Sequence, residues 1–303
     1  MIPDFQTVML PLLQQLADGK EHKLREVINA LSDRFHLTAE ERVELLPSGN
    51  QAIIDNRIGW ARTYLKKAKL LDNSKRGFLS ISENGKKLLN THPNRIDLNY
   101  LKTLPEFREW QDSYLNSIGN ETQETTAISS TSTPDEALES AYQEIRRALA
   151  QELLTKVKEC TPAFFEQLVV KLLVKMGYGG SLKDAGEATR LTNDEGIDGI
   201  IKEDKLGLDV IYIQAKRWDT QPVGRPDIQS FVGALDGQRA NKGVFITTSR
   251  FAENAKAYVK TITKKVILID GEQLALYMID YGLGVNTIST YELKKIDTDY
   301  FGE

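Results

Sequence analysis

Cysteine is almost absent from this chain: Cys160 is the only one in 303 residues. A single thiol excludes an internal disulfide framework and any zinc cage built from cysteines. Histidine is nearly as scarce. His22, His36 and His92 all lie in the first third and at no ligand spacing. Neither a histidine-centred metal site nor a Ser-His-Asp triad is therefore expected in the remainder. No apolar run approaches the ~18 residues of a membrane span. The start, Met1-Ile2-Pro3-Asp4, lacks the basic flank of a secretory signal. The expectation is a cytoplasmic protein without a membrane partner. A loop of the form G-x-x-x-x-G-K-[ST] is missing too, so no nucleotide cofactor is expected.

A basic excess is also lacking, with a net charge of −4, which argues against nucleic acid until the distribution is considered. Between Asp55 and Asn90 there are nine basic side chains against three acidic ones. Such a local positive patch is the footprint of a DNA-contacting module, although a solvated helix face carries the same charges. At about 150 residues per domain, the length points to two domains. The composition, 41% hydrophobic and 27% charged, is that of an ordinary globular protein.

The division into domains follows from patterning. Residues 1–100 read as a DNA-binding domain, 101–134 as a linker region and 135–303 as a catalytic domain. Gly119 to Pro134 is rich in Ser and Thr and nearly free of apolar residues, so it cannot offset its ordering entropy by burial. Before it, helices are expected at 4–18, 22–35, 51–71 and 83–91. Ile54, Ile58, Ala61, Leu65 and Ala68 form the core stripe of the third. Its other side presents Arg57, Arg62, Lys66 and Lys69, and a hairpin strand at 74–82 carries Lys75 and Arg76. Helix, helix, basic helix and hairpin is the order of an all-α winged helix-turn-helix domain. There the third helix enters the major groove and the hairpin touches phosphates; a helical adaptor without DNA contact has the same order.

After the linker, helix and strand alternate, as in an α/β domain with a central sheet. A helix opens near Pro134 with Leu138, Tyr142, Ile145, Leu149 and Leu153 at helical spacing, and another follows the Thr161-Pro162 cap. Strands are expected at 197–201, 210–216, 243–248 and 265–269, and a last helix at about 271–281. The chemistry concentrates at Gly196-Ile-Asp198-Gly199 and Gln214-Ala-Lys216. Gln214 and Lys216, two apart on a strand, share a face, and a hairpin between 201 and 210 can bring Asp198 beside them. A carboxylate and an amide oxygen are hard ligands for Mg²⁺, with Mn²⁺ tolerated. A lysine beside the ion can orient a water or stabilise developing charge. An edge strand whose polar residues reach water is the alternative.

The residues carry a resemblance at this point. Phe165-Glu166 through Met176-Gly-Tyr-Gly-Gly180, Gly196 to Gly199, and Tyr212-Ile-Gln214-Ala-Lys216-Arg-Trp218 resemble the catalytic domain of the Mrr family. That domain is a branch of the PD-(D/E)-x-K nucleases in which Gln replaces the usual Glu. Val223 to Pro226, Phe231 to Leu235 and Lys242 to Ser249 extend the match. Asn56 to Arg62 and Ala68 to Leu71 resemble the Mrr N-terminal winged helix. The resemblance implies a restriction-endonuclease-like fold with a mixed sheet, and catalysis by Asp198, Gln214 and Lys216. It implies Mg²⁺ held by Asp198 and Gln214, with Glu166 at a position that reaches the metal in related nucleases. The implied substrate is foreign, typically methylated, double-stranded DNA. Cutting both strands implies a homodimer or higher oligomer on DNA. One departure is Glu195, where the family commonly has glycine. A catalytically silent DNA-binding regulator, or a structure-selective repair or recombination nuclease, remains the alternative.

Overall fold

A computed structural model of the protein describes residues 1–72, 77–118, 131–179, 196–204, 208–297 and 300. The chain divides into two compact units, Met1–Tyr142 with Leu293–Glu303, and Gln143–Glu292. The boundary thus falls past the 134/135 junction expected from composition. Among the described residues no helix is long and apolar enough to cross a membrane.

The first unit is mainly helical. Its elements are α1 (Phe5–Gln15), β1 (His22–Lys23), α2 (Leu24–Arg34), α3 (Ala39–Val43), α4 (Ile53–Lys67), β2 (Leu71–Asp72), β3 (Phe78–Ile81), α5 (Glu83–Asn90), α6 (Leu98–Leu101), α7 (Pro105–Ile118) and the start of α8 (Pro134–Glu159). The expectation of an all-α domain needs correcting: β1, β3 and β2 form a three-stranded antiparallel sheet in that order. Strands β1 and β2 have two residues each, too few to show an alternating pattern. Helix α3 opens on a capping box between Thr38 and Glu41, a signature visible in the sequence and passed over.

The α4 stripe Ile54, Ile58, Ala61, Leu65 and Ala68 is buried as its spacing requires. Helices α6 and α7 occupy the first part of the stretch read as a linker. Leu101 and Phe107 from it are 0% and 2% exposed, joining the core around Phe5 and Tyr64. The buried Gln6 side chain accepts a hydrogen bond from the Leu98 backbone N–H at 2.8 Å, tying α6 to α1.

The other end of that stretch is fixed as well. Thr133 is wholly buried and donates its hydroxyl to Asn56 Oδ1 at 2.7 Å. Asn56 Nδ2 and Trp60 Nε1 both donate to Asp135 Oδ2, at 2.6 and 3.0 Å. Arg57 Nε donates to Glu136 Oε1 at 2.8 Å. Thr133 and Glu136 also cap the start of α8 reciprocally. Each buried polar group here has its partner supplied by the other segment, so truncating one would leave the other unsatisfied, at about 1–3 kcal/mol.

The second unit is a mixed sheet between two helical layers. It comprises the rest of α8, α9 (Pro162–Lys175), β4 (Gly199–Lys202), β5 (Val210–Lys216), α10 (Arg225–Gly237), β6 (Lys242–Thr247), α11 (Glu253–Val259), β7 (Lys265–Ile269) and α12 (Gly271–Asp280). The strand order is β4-β5-β6-β7, with β4 antiparallel to β5 and the other neighbours parallel. One face packs on α8, α9 and α12 through Val169, Leu172, Ile213 and Leu274. The other packs on α10 and α11 through Phe231, Leu235, Phe245 and Ala255. Gly243 is required here, since a Cβ would lie 2.7 Å from the Phe231 ring. The apolar stripe of α8 is mostly exposed: Leu138, Tyr142, Ile145 and Leu149 are exposed, and of the five only Leu153 is buried.

Candidate active site

The hairpin of β4 and β5 brings together the residues singled out by spacing. The Asp198 backbone N–H donates to Ile213 O at 2.8 Å, and Gly199 pairs with Ile213. Continuing that register by one residue sets Asp198 opposite Gln214, on one face of the pair. The Gln214 amide donates to Asp198 Oδ2 at 2.5 Å, and the Ala215 backbone N–H donates to the same oxygen at 2.7 Å. Gln214 is 4% exposed, so this polar side chain is buried against the carboxylate it bonds. Lys216 leaves the same strand half-buried. Its ammonium has no hydrogen bond or ion pair among the described residues.

The second carboxylate is Glu166, on α9. Burial, and then the negative charge of Asp198, push its carboxyl above the usual range. A carboxyl whose ionisation is opposed by burial and by a neighbouring negative charge stands where a cation would relieve the cost. Among the described residues there is no cluster of three His, Cys, Asp or Glu. The two carboxylates and the Gln214 amide oxygen are hard oxygen donors, of the kind that suits an ion keeping several waters.

The raised carboxyl has a testable consequence for the metal-free protein. A carboxyl with a raised folded pKa binds more protons folded than unfolded, so stability falls as pH rises from the ordinary value through the raised one. Glu166→Gln removes that dependence. In chelator, the variant should gain stability over the parent as pH rises through that window. Parallel melting-temperature profiles would show that Glu166 ionises freely.

Several residues support this face. Thr247 and Thr248 are fully buried where β6 ends. Thr247 Oγ1 donates to Lys216 O at 2.8 Å; Thr248 Oγ1 donates to Trp218 O at 2.7 Å and accepts from Trp218 N at 2.9 Å. These bonds fix the strand end that carries Lys216. Gly196 has φ +101°, and a Cβ there would lie 3.1 Å from Gln214 Oε1, so glycine is needed for both backbone and space. Arg217 Nη1 donates to Lys158 O at the end of α8.

In the first unit, the basic residues of α4 separate. Arg57 does not face solvent as its helical position suggested: it bonds Glu136 and the carbonyls of Ile2 and Pro3. Arg62 is half-buried, while Lys66 and Lys69 are exposed. Lys75, Arg76 and Glu195, the Ser/Thr-rich stretch 119–130 and the turn at 205–207 lie outside the described residues.

Comparison with known proteins agrees with both halves. The model described as "Restriction endonuclease" (Mrr_cat) matches residues 157–278, and the "Mrr N-terminal domain" model matches residues 5–91. The chain is 35% identical over 309 residues to the type IV methyl-directed restriction enzyme EcoKMrr of Escherichia coli strain K12, covering 99% of each. Two solved structures are also similar. MspJI restriction endonuclease, in complex with a 27-mer oligonucleotide, has 19% identity and TM-score 0.27 over 66% of this chain and 47% of its own. The DNA modification-dependent restriction endonuclease AspBHI has 16% identity and TM-score 0.35 over 71% and 57%. With a curated relative aligned end to end and both of its modules matched in order, the chain belongs to the Mrr family of restriction endonucleases.

Proposed function

We propose that this chain is a modification-dependent, type IV-like restriction endonuclease that hydrolyses the backbone of foreign, methylated double-stranded DNA in the cytoplasm. The observation that carries the reading is the meeting of Asp198, Gln214 and Lys216 on one hairpin of a chain related end to end to EcoKMrr. The first unit is read as a winged-helix DNA-capture domain, with β2–β3 as its wing. Residues 135–303 are read as the nuclease domain. A homodimer or larger oligomer would supply the two sites needed to cut both strands.

Asp198 and the Gln214 amide oxygen, with Glu166, would hold Mg²⁺, with Mn²⁺ as a substitute. The bound ion supplies Lewis acidity toward the phosphate and acidifies a water. The protein's own part is positional. Two donors on Asp198 Oδ2 hold its carboxylate in place. Lys216 brings a positive charge to the face where negative charge accumulates on the phosphate oxygens, and its missing partner is then the substrate. The buried threonines keep that lysine's backbone in place.

The reading is tested by incubating the protein with methylated and unmethylated plasmid and with branched DNA, each with and without Mg²⁺. Metal-dependent cleavage confined to the methylated plasmid is expected. Preference for the branched substrate would make it a structure-selective nuclease, and binding without cleavage under any condition would make it a regulator.

A further inference from the structure

In the first unit, several cations have a carboxylate of their own. Arg25 pairs with Asp55, Arg42 with Asp33, Arg57 with Glu136, Lys86 with Glu83 and Arg95 with Asp97. Three cations without a described partner stand together. Arg62, Lys66 and Lys69 line a concavity of about 580 Å³ between α4 and α7, together with Thr63, Lys67 and Trp110. No side-chain hydrogen bond or ion pair reaches any of these three cations among the described residues. The Arg62 guanidinium is pulled below its usual value by burial alone. A desolvated cation without a counter-charge is costly unless a ligand brings that charge.

The strip continues beyond this groove. Lys66 and Lys69 also line a second concavity, formed with Leu71, Asp72, Ser82, Glu83 and Asn84 at the start of α5. The two lysines therefore stand between adjacent hollows, as side chains do that contact successive phosphates. The wall opposite is ordered by Lys67, whose ammonium lies 5.4 Å from the Trp110 ring centre. Glu106 and Glu109 line the α7 side of the first hollow. Neither forms an ion pair with the three cations among the described residues, and their charge would hold an anion toward α4. The opposite end of α4 is taken: Asn56, Arg57 and Trp60 are bonded to Asp135 and Glu136.

We propose that the groove between α4 and α7, with Arg62, Lys66 and Lys69 as its cationic side and Trp110 in its wall, is a site for the phosphate backbone of one DNA strand. It holds the strand by charge and does not read bases. This rests on the DNA-binding role proposed above for the first unit. It goes beyond that role by recruiting α7, which lies outside both matched family regions, and by assigning the C-terminal half of α4 a positioning task.

The test uses the full chain in chelator, so that nothing is cut, and duplexes of two unrelated sequences. Lys66→Gln with Lys69→Gln should weaken binding roughly tenfold and reduce the slope of log K against log salt by about 1.8, two phosphate contacts' worth. The loss should be equal for both sequences, and Lys20→Gln should change neither quantity. Trp110→Phe should remove most of the DNA-dependent change in intrinsic fluorescence while circular dichroism stays that of the parent. An unchanged salt slope in the double variant, or an undiminished fluorescence response in Trp110→Phe, overturns the groove while leaving DNA capture standing. A loss that depends on sequence overturns the backbone-only reading. A parent chain that ignores duplex DNA removes the capture role and the groove with it.

Discussion

Asp198→Ala and Lys216→Ala are each expected to abolish cleavage, a loss of about 10²-fold or more, while duplex affinity stays close to that of the parent. The two substitutions fail for different reasons. Asp198 anchors the site: its Oδ2 accepts from Gln214 and from the Ala215 backbone, so its removal frees the buried amide as well as deleting a proposed ligand. Lys216 accepts no such structural duty, because its ammonium bonds nothing described. Lys216→Ala should therefore melt at nearly the parent temperature, whereas Asp198→Ala should be measurably less stable. Plasmid nicking, filter binding and thermal melting on the same preparations separate these effects. Cleavage by either variant at the parental rate would remove the assignment of this face.

Gln214→Glu and Gln214→Ala should diverge strongly. The Glu variant presses a second carboxylate against Asp198 Oδ2, where the parent has an N–H donor. Without metal that contact is repulsive, so one of the two carboxyls must hold a proton or the pair must separate. The variant is then expected to be less stable than the parent in chelator by about 1–3 kcal/mol. It should recover with divalent cation, bind that cation more tightly, and retain measurable cleavage with a broader tolerance for Mn²⁺. Gln214→Ala supplies no oxygen and should be inactive at any metal concentration. Unfolding and cleavage across a Mg²⁺ titration decide the matter. If the Glu variant were as inactive as the Ala variant, the amide N–H would be the functional group, and Gln214 would serve by holding Asp198.

The pair of strands bearing these residues was legible because their pattern is local. A two-residue period on Gln214 and Lys216, and a short connection back to Asp198, leave one hairpin register that buries Ile211 and Ile213 on the opposite face. The core stripe of α4 was legible for the same reason. What was not legible depends on partners distant in the chain. Arg57 reads as a solvent-facing cation until Glu136 arrives from 79 residues away. Thr133 ends a Ser/Thr-rich stretch and reads as linker, yet it is buried because Asn56 receives its hydroxyl. The partners of Thr247 and Thr248 are carbonyls of Lys216 and Trp218, which the parallel pairing of β5 and β6 brings alongside. Leu138, Tyr142, Ile145 and Leu149 show the opposite failure, an apolar stripe at perfect helical spacing that stays exposed.

Helix α8 sets a limit on how this protein can be taken apart. It runs unbroken from Pro134 to Glu159, while the division between the compact units falls after Tyr142, inside it. A fragment ended at residue 100 would forfeit Leu101 and Phe107 from the core, and the Phe107 ring that sits 6.3 Å from Tyr64. It would also strip Asn56, Arg57 and Trp60 of their bonds to Thr133, Asp135 and Glu136. A fragment begun at residue 135 would carry off the other half of the same contacts. Modules joined through a loop can be exchanged between proteins by cutting anywhere in the loop. Here the seam is a helix whose first turn serves one module and whose last turns serve the other, so a graft of either must bring its own α8.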